Sequence, residues 1–267
     1  MGFPFGLLLS FILNIKCKYH IPHTLQLLFI GVLLFNLLWW MAAVLLQNKA
    51  LPNPIRVYEI MPETLSKGMG EHAWASLQRV VIGTAIALLL GMIGGMLTAM
   101  SRRLNRLLEP LLYLSYPVPK LALLPIVMLI FGIGETAKIV MIVLIIVFQL
   151  MISIRDAIRR ISKEHYFVLS SLGASKWQQI VHVIMPGILP DIFTALRVTL
   201  GIAISVLFIT ETFGTDKGLG FFIVEAWMRL DYLTMYVGIV TISIIGFLLF
   251  LLIDLADAVF CRWKRKS

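Results

Sequence analysis

SKEHYFVLSSLGASKWQQIVHVIMPGILP, from Ser162 to Pro190, is the longest polar interruption in the hydrophobic second half of the chain. Its pattern predicts two short helices broken at one glycine. Ser162 is placed to cap the first, and nothing from Lys163 to Leu172 breaks a helix. Gly173 supplies the left-handed position that commonly ends one. Ser175 then restarts the chain, with Gln178 at the spacing of a capping box. The second helix is expected to stop near Pro186, because proline disfavours helix in the residue before it. The result is a bent, surface-lying element between two apolar stretches, a good handle for a partner protein.

Those apolar stretches dominate the chain. Of its 267 residues, 60% are hydrophobic and 14% charged, and the mean hydropathy is +0.93. A soluble domain carries about 45–50% apolar and about 25% charged residues, so the composition is that of an all-α integral membrane protein. The net charge of +9 could suggest nucleic acid. Its Lys and Arg residues cluster instead at the ends of spans, as cytoplasmic loops of membrane proteins do, so no nucleic-acid partner is expected. Cys17 and Cys261 lie near opposite ends and form no disulfide framework or metal spacing. His20, His23, His72, His165 and His182 are scattered without an HxxxH pair. A membrane enzyme would need clustered acid–base or ligand residues, so no catalytic residue, metal or cofactor is expected.

About six spans of roughly 20 residues are legible. Residues 1–24 read as a cytoplasmic or interfacial segment, or as an overextended start, since Lys16 and Lys18 follow the apolar run. Leu25–Leu46 is the first span, with Trp39 and Trp40 near its outer end; Gln47–Ser76 is an external loop holding Pro52, Pro54 and Pro62, and Glu63–Trp74 could form a short interfacial helix. Residues 25–76 thus precede a core of five spans, 77–260. In the span Leu77–Met100, Gly83, Ala87, Gly91 and Gly95 recur every four residues. They make a flat stripe against which another helix packs, within the chain on the simplest reading. The third span is broken by Pro117, Pro119 and Pro125, and irregular backbone at membrane depth belongs where it is buried or lines a water-filled cavity. Lys120 lies in that break, either facing a transport path or snorkelling to the headgroups. Gly132–Glu135 is a tight external turn. The fourth span, Thr136–Ile154, leads into a polar loop over 155–187. There Ile154, Ile158, Ile161, His165, Val168 and Leu172 keep helical spacing. The fifth span, Gly187–Phe213, carries Arg197 and Glu211. An external loop with a possible re-entrant turn follows at Gly218 and Gly220, then the sixth span, Tyr236–Val259, and a basic tail, 261–267. Basic clusters after Ile15, Met100, Ile154 and Phe260 place both termini and the Gly173 loop in the cytoplasm.

Ser171-Leu172-Gly173-Ala174-Ser175, followed by Met185-Pro186 and Leu189-Pro190, resembles the cytoplasmic "EAA" loop of ABC importer permeases. The wider pattern is similar to their nitrate/sulfonate/taurine/bicarbonate branch. It includes Leu107-Leu108-Glu109-Pro110, Pro117-Val118-Pro119-Lys120-Leu121-Ala122-Leu123-Leu124-Pro125, Phe131-Gly132-Ile133-Gly134-Glu135 and Gly218-Leu219-Gly220. In one departure, the family's Glu-Ala-Ala falls here on Phe167-Val168-Leu169.

The resemblance implies a type I ABC importer permease fold with a cytoplasmic coupling loop. It implies two permease copies in the inner membrane, two ATPase subunits docked beneath, and an extracytoplasmic binding protein. By the same resemblance, Phe167, Val168, Leu169, Ser171, Leu172, Gly173, Ala174, Ser175, Lys176 and Trp177 dock the ATPase. The candidates for the substrate path are Pro117, Pro119, Lys120, Arg197 and Glu211. The chain has no G-x-x-x-x-G-K-[ST] run, so ATP hydrolysis belongs to the separate subunit. The expected cargo is a small oxyanion or sulfonate, moved by alternating access, or else a heterocyclic vitamin precursor. A secondary transporter or channel acting alone is the competing reading, but no repeat between the halves supports it.

Overall fold

The computed structural model describes residues 21–265, and side chains within the first helix from Leu28. Every regular element in that range is helical. The described residues fall into two compact units, one up to Met61 and one from Pro62. Residues 1–20, with Cys17 and His20, and residues 266–267 lie outside the described range.

In the first unit, α1 (Ile21–Leu46) is apolar and, from Leu28 on, mostly exposed, with Phe29, Phe35 and Leu45 open. The helix α2 (Pro54–Thr64) begins there, with Asn53 Oδ1 accepting from the Ile55 amide. Tyr58 donates to Asn36 Oδ1 at 2.7 Å, and its ring meets Trp39 edge-on at 6.4 Å. The stretch expected as loop is therefore helical from Pro54. The backbone leaves helical geometry only at Lys67 and Gly68, where Gly68 has φ +106°.

The second unit is built around α6 (Glu135–Arg160). Met141, Ile142, Ile146, Leu150, Ile154, Ala157 and Ile158 bury one of its faces. On one side lies α3 (Gly70–Met100), on the other α9 (Met185–Glu211). The small-residue stripe of α3 is what admits α6: a Cβ on Gly83 would come within 2.8 Å of Ile142, one on Gly91 within 2.8 Å of Leu150, and one on Gly95 within 2.9 Å of Ile154. The stripe packs within the chain, as expected. The opposite face of α3 exposes Leu89, Leu90, Ile93 and Leu97, as lipid contact requires.

The broken third span consists of α4 (Arg102–Ser115), a 3-10 turn over Lys120–Leu123 and α5 (Leu124–Phe131), bent by 91°. Among the described residues, five helices are long and apolar enough to cross a membrane, or six with this bent pair. Next come α7 (Lys163–Ser171) and α8 (Lys176–Gln179). After α9, the expected external loop holds a short apolar helix, α10 (Leu219–Met228), before α11 (Tyr232–Phe260), which Asp231 caps. The chain then closes with a 3-10 turn at Arg262–Arg265.

The helix after Ser175 does not stop near Pro186. A π-helical turn, Ile180–Ile184, joins α8 to α9, and Pro186 falls in the first turn of α9. The Met185 amide bonds to Ile180 O. Proline lacks a donor and crowds the preceding turn, and the wider π turn accommodates both defects without ending the helix. The apolar stripe from Ile154 to Leu172 also divides. Ile154 and Ile158 are buried, but α6 ends at Ile161 in extended conformation, and Val168 and Leu172 are exposed.

Candidate functional site

The α7–α8 element is built as its residues dictate. Ser162 accepts from the Glu164 amide and caps α7. At the far end the Gly173 amide bonds to Ser170 O and the Ala174 amide to Leu169 O, both at 3.0 Å. This paired closure is a Schellman motif, which needs a left-handed residue, and Gly173 has φ +75°. Ser175 and Gln178 exchange the two bonds of a capping box. Gln179 Nε2 donates to Ser170 Oγ at 3.3 Å and ties the two helices together. Ser171 Oγ donates back to Phe167 O, Leu169 and Ala174 are half-buried, and Lys176 is exposed.

What this element presents is apolar. Phe167 is 68% exposed, Val168 62%, Leu172 80% and Trp177 71%. These side chains stand on a capped scaffold outside the long apolar helices. Burying one such side chain is worth about 1.5–3 kcal/mol, so the edge can bind a partner without an ionic contact.

The three charged path candidates lie in three places. Lys120, half-buried, holds its ammonium 5.3 Å from the centre of the Phe148 ring. Phe148 stands at the midpoint of α6, so this charge lies level with the middle of that helix. No carboxylate among the described residues lies within ion-pair distance of it. Pro117 and Pro119 are exposed beside it. Arg197 is paired with Asp254, and with Asp257 at 2.8 Å, joining the middle of α9 to the C-terminal part of α11.

Glu211, fully buried at the last residue of α9, belongs to a cluster that sequence reasoning missed. Arg79, 2% exposed, donates to Glu211 Oε1 at 2.5 Å, to Lys217 O at 2.8 Å and, through Nε and Nη2, to both carboxylate oxygens of Glu135. Ser76 donates to Glu211 and accepts from the Leu219 amide, and Gly220 N donates to Glu211 Oε2 at 2.9 Å. Lys138, 3% exposed, has its nearest carboxylate oxygen, on Glu135, at 3.8 Å. A Cβ on Gly220 would stand 2.5 Å from Phe208 O, which is why glycine occupies that position. The Glu135 turn and the Gly218-Leu219-Gly220 run are thus two parts of one cluster, joined by Arg79. The available signal was an arginine just inside an apolar span, where charge is rare and needs a partner.

Residues 87–266 match the family described as binding-protein-dependent transport system inner membrane component. The chain belongs to that family. It is a permease subunit of the ABC transporter type, and not an enzyme. The permease is 35% identical over 244 residues to the taurine transport system permease protein of Escherichia coli K12, covering 88% of this chain and 89% of that one. It is 26% identical over 236 residues to the formylaminopyrimidine transport permease protein of Halalkalibacterium halodurans (88% and 94%), and 28% over 254 residues to the nitrate import permease protein of Synechococcus elongatus (88% and 89%). Its fold matches a chain of the MetNI methionine ABC transporter, solved in inward-facing conformations, with a TM-score of 0.64 at 19% identity, over 74% of this chain and 96% of that one.

Proposed function

We propose that this permease carries a small oxyanion or sulfonate across the inner membrane by alternating access, driven by a separate ATPase subunit that docks on α7–α8. The observation that carries the reading is the exposed apolar edge of Phe167, Val168, Leu172 and Trp177 on a doubly capped scaffold. Two copies of the chain pair around the path, an extracytoplasmic binding protein delivers the cargo, and both termini face the cytoplasm. Closure of the ATPase pair draws the two α7–α8 elements together, and a short stiff element transmits that motion.

Among the path candidates, Lys120 and the flanking Pro117 and Pro119 carry the reading furthest. An ammonium level with the middle of α6 and without a carboxylate partner suits an anion passing it. Arg197 and Glu211, each held by opposite charge, serve the path by tying the middle of α9 to α11 and its last residue to α3. The names of the relatives support an anion, since they include taurine, sulfonate, nitrate and bicarbonate systems. A heterocyclic vitamin precursor is the second reading, favoured by the formylaminopyrimidine relative.

The test is co-purification of the ATPase with the permease, alongside uptake of radiolabelled taurine and nitrate. Gly173→Val is expected to reach the membrane at normal levels yet lose the ATPase or uncouple its hydrolysis from uptake. Normal co-purification and coupled uptake by this variant would remove α7–α8 from the mechanism.

A further inference from the structure

Beside its buried face, α6 carries a second stripe. Gln149, Ser153, Asp156 and Arg160 follow one another at helical spacing. With Asp191 and Thr194 of α9 they line a cleft of ≈ 300 Å³. The Arg160–Asp191 pair, at 2.8 Å, bridges the two helices at the cytoplasmic end. The other end lies near the middle of α6, where Gln149 stands.

Polar side chains within spans face a bundle interior or a water-filled cavity, not lipid. The exposed face of α3 obeys this, showing only Leu and Ile at the same depth. Neither Gln149 nor Ser153 has a side-chain hydrogen-bond partner among the described residues. Thr194 directs its donor to Pro190 O and keeps its lone pairs free. An amide and a hydroxyl with unused donors at this depth need something to accept from them.

We infer that this cleft is the inner half of the solute route, and that Gln149 and Ser153 donate hydrogen bonds to an acceptor-rich head group as it passes. Arg160 and Asp191 form its exit, an ion pair whose separation widens the mouth. The inference rests on the importer reading, and extends it to residues that reading does not name.

The test uses the full complex in inverted membrane vesicles, with Cys17→Ser and Cys261→Ala as background. Ser153→Cys is expected to react with the charged, impermeant reagent 2-sulfonatoethyl methanethiosulfonate, which needs water around the thiol. Leu89→Cys, facing lipid, should not react. An unreactive Ser153→Cys thiol overturns the inference, and so does a disulfide joining two copies at this position, which would make the face a protein contact. In parallel, Gln149→Leu should lower ATP-driven uptake of taurine or nitrate at least tenfold with ATP hydrolysis retained, and Gln149→Asn should restore part of it. Unchanged uptake by Gln149→Leu also overturns the inference. If the parent complex moves neither probe with ATP, the importer reading for these anions fails, and the thiol labelling alone decides whether the cleft is a water-lined route.

Discussion

Glu211 accepts from Ser76, Arg79 and the Gly220 amide while fully buried. Removing one member of a buried ion pair costs about 3–5 kcal/mol, because the other charge is left uncompensated. Glu211→Gln should therefore lower the thermal stability of the detergent-purified permease sharply. Glu135 is 61% exposed, so water can replace much of what it offers. Glu135→Gln should lower the melting temperature by well under half as much, and equal losses would show that the cluster is not anchored on Glu211. Gly173 is a different kind of position. Nothing stands within 4 Å of a Cβ there, so Gly173→Ala meets no clash and its only cost is the left-handed backbone, about 1–2 kcal/mol. Its effect should appear as faster hydrogen exchange across Leu169–Ala174 with no change in global stability. Gly173 could be read from local sequence because the caps on either side of it, Ser162 with Glu164 and Ser175 with Gln178, each act over two or three residues. Arg79 could not, because Glu135 and Glu211 lie far away in sequence and only the fold brings them together.

At the scale of the element, α7–α8 behaves as a rigid bracket with an apolar edge. Phe167→Ala and Trp177→Ala each remove a large exposed side chain without touching a cap or the Schellman closure. If both are buried against the ATPase at about 1.5–3 kcal/mol each, either change should weaken association at least tenfold. Titration of purified ATPase onto the permease in nanodiscs measures this, and unchanged affinity in both variants would place the docking surface elsewhere. The caps and the break were legible because each follows from a few adjacent residues. The continuation of the helix through Pro186 was not. Proline predicts a stop, and the π turn at Ile180–Ile184 that avoids one has no local signature. Similarly, a stripe from Ile154 to Leu172 kept its spacing in sequence, but the chain turns at Ile161 and half of it points away from the core.

At the scale of the molecule, α6 is the central post of the second unit, between α3 and α9, and the glycine stripe sets how closely α3 approaches. Gly91→Leu would drive a side chain into Leu150, whose Cβ would stand only 2.8 Å from the first carbon of any side chain added there. Overpacking of this kind costs about 1–3 kcal/mol, and α3 has no flexible neighbour there to yield. The expected outcome is lower yield of folded permease, measured by fluorescence-detected size exclusion, with Gly94→Ala milder because its neighbour is the flexible end of Met151. Orientation is a second property of the whole chain. From the distribution of Lys and Arg, a single Ser175→Cys thiol should be labelled by an impermeant reagent only in inverted vesicles. Labelling from outside intact cells would invert the topology. The number and order of apolar helices could be read from hydropathy, whereas the cleft between α6 and α9 needed two helices, about thirty residues apart, to be set side by side.

The Arg79–Glu135–Glu211 cluster also bears on how the protein responds to the electrical potential across its membrane. Arg79 and Lys138 contribute two positive charges, and Glu135 and Glu211 two negative ones. One elementary charge moved across the full field is worth about 2.3 kcal/mol per 100 mV. A cluster whose charges cancel can travel with its helices and feel almost none of this. Motion of this cluster should then add no voltage dependence to the conformational switch. Neutralising Glu211 would leave a net positive charge where α3, α6 and α9 meet and give the switch a voltage dependence from this cluster.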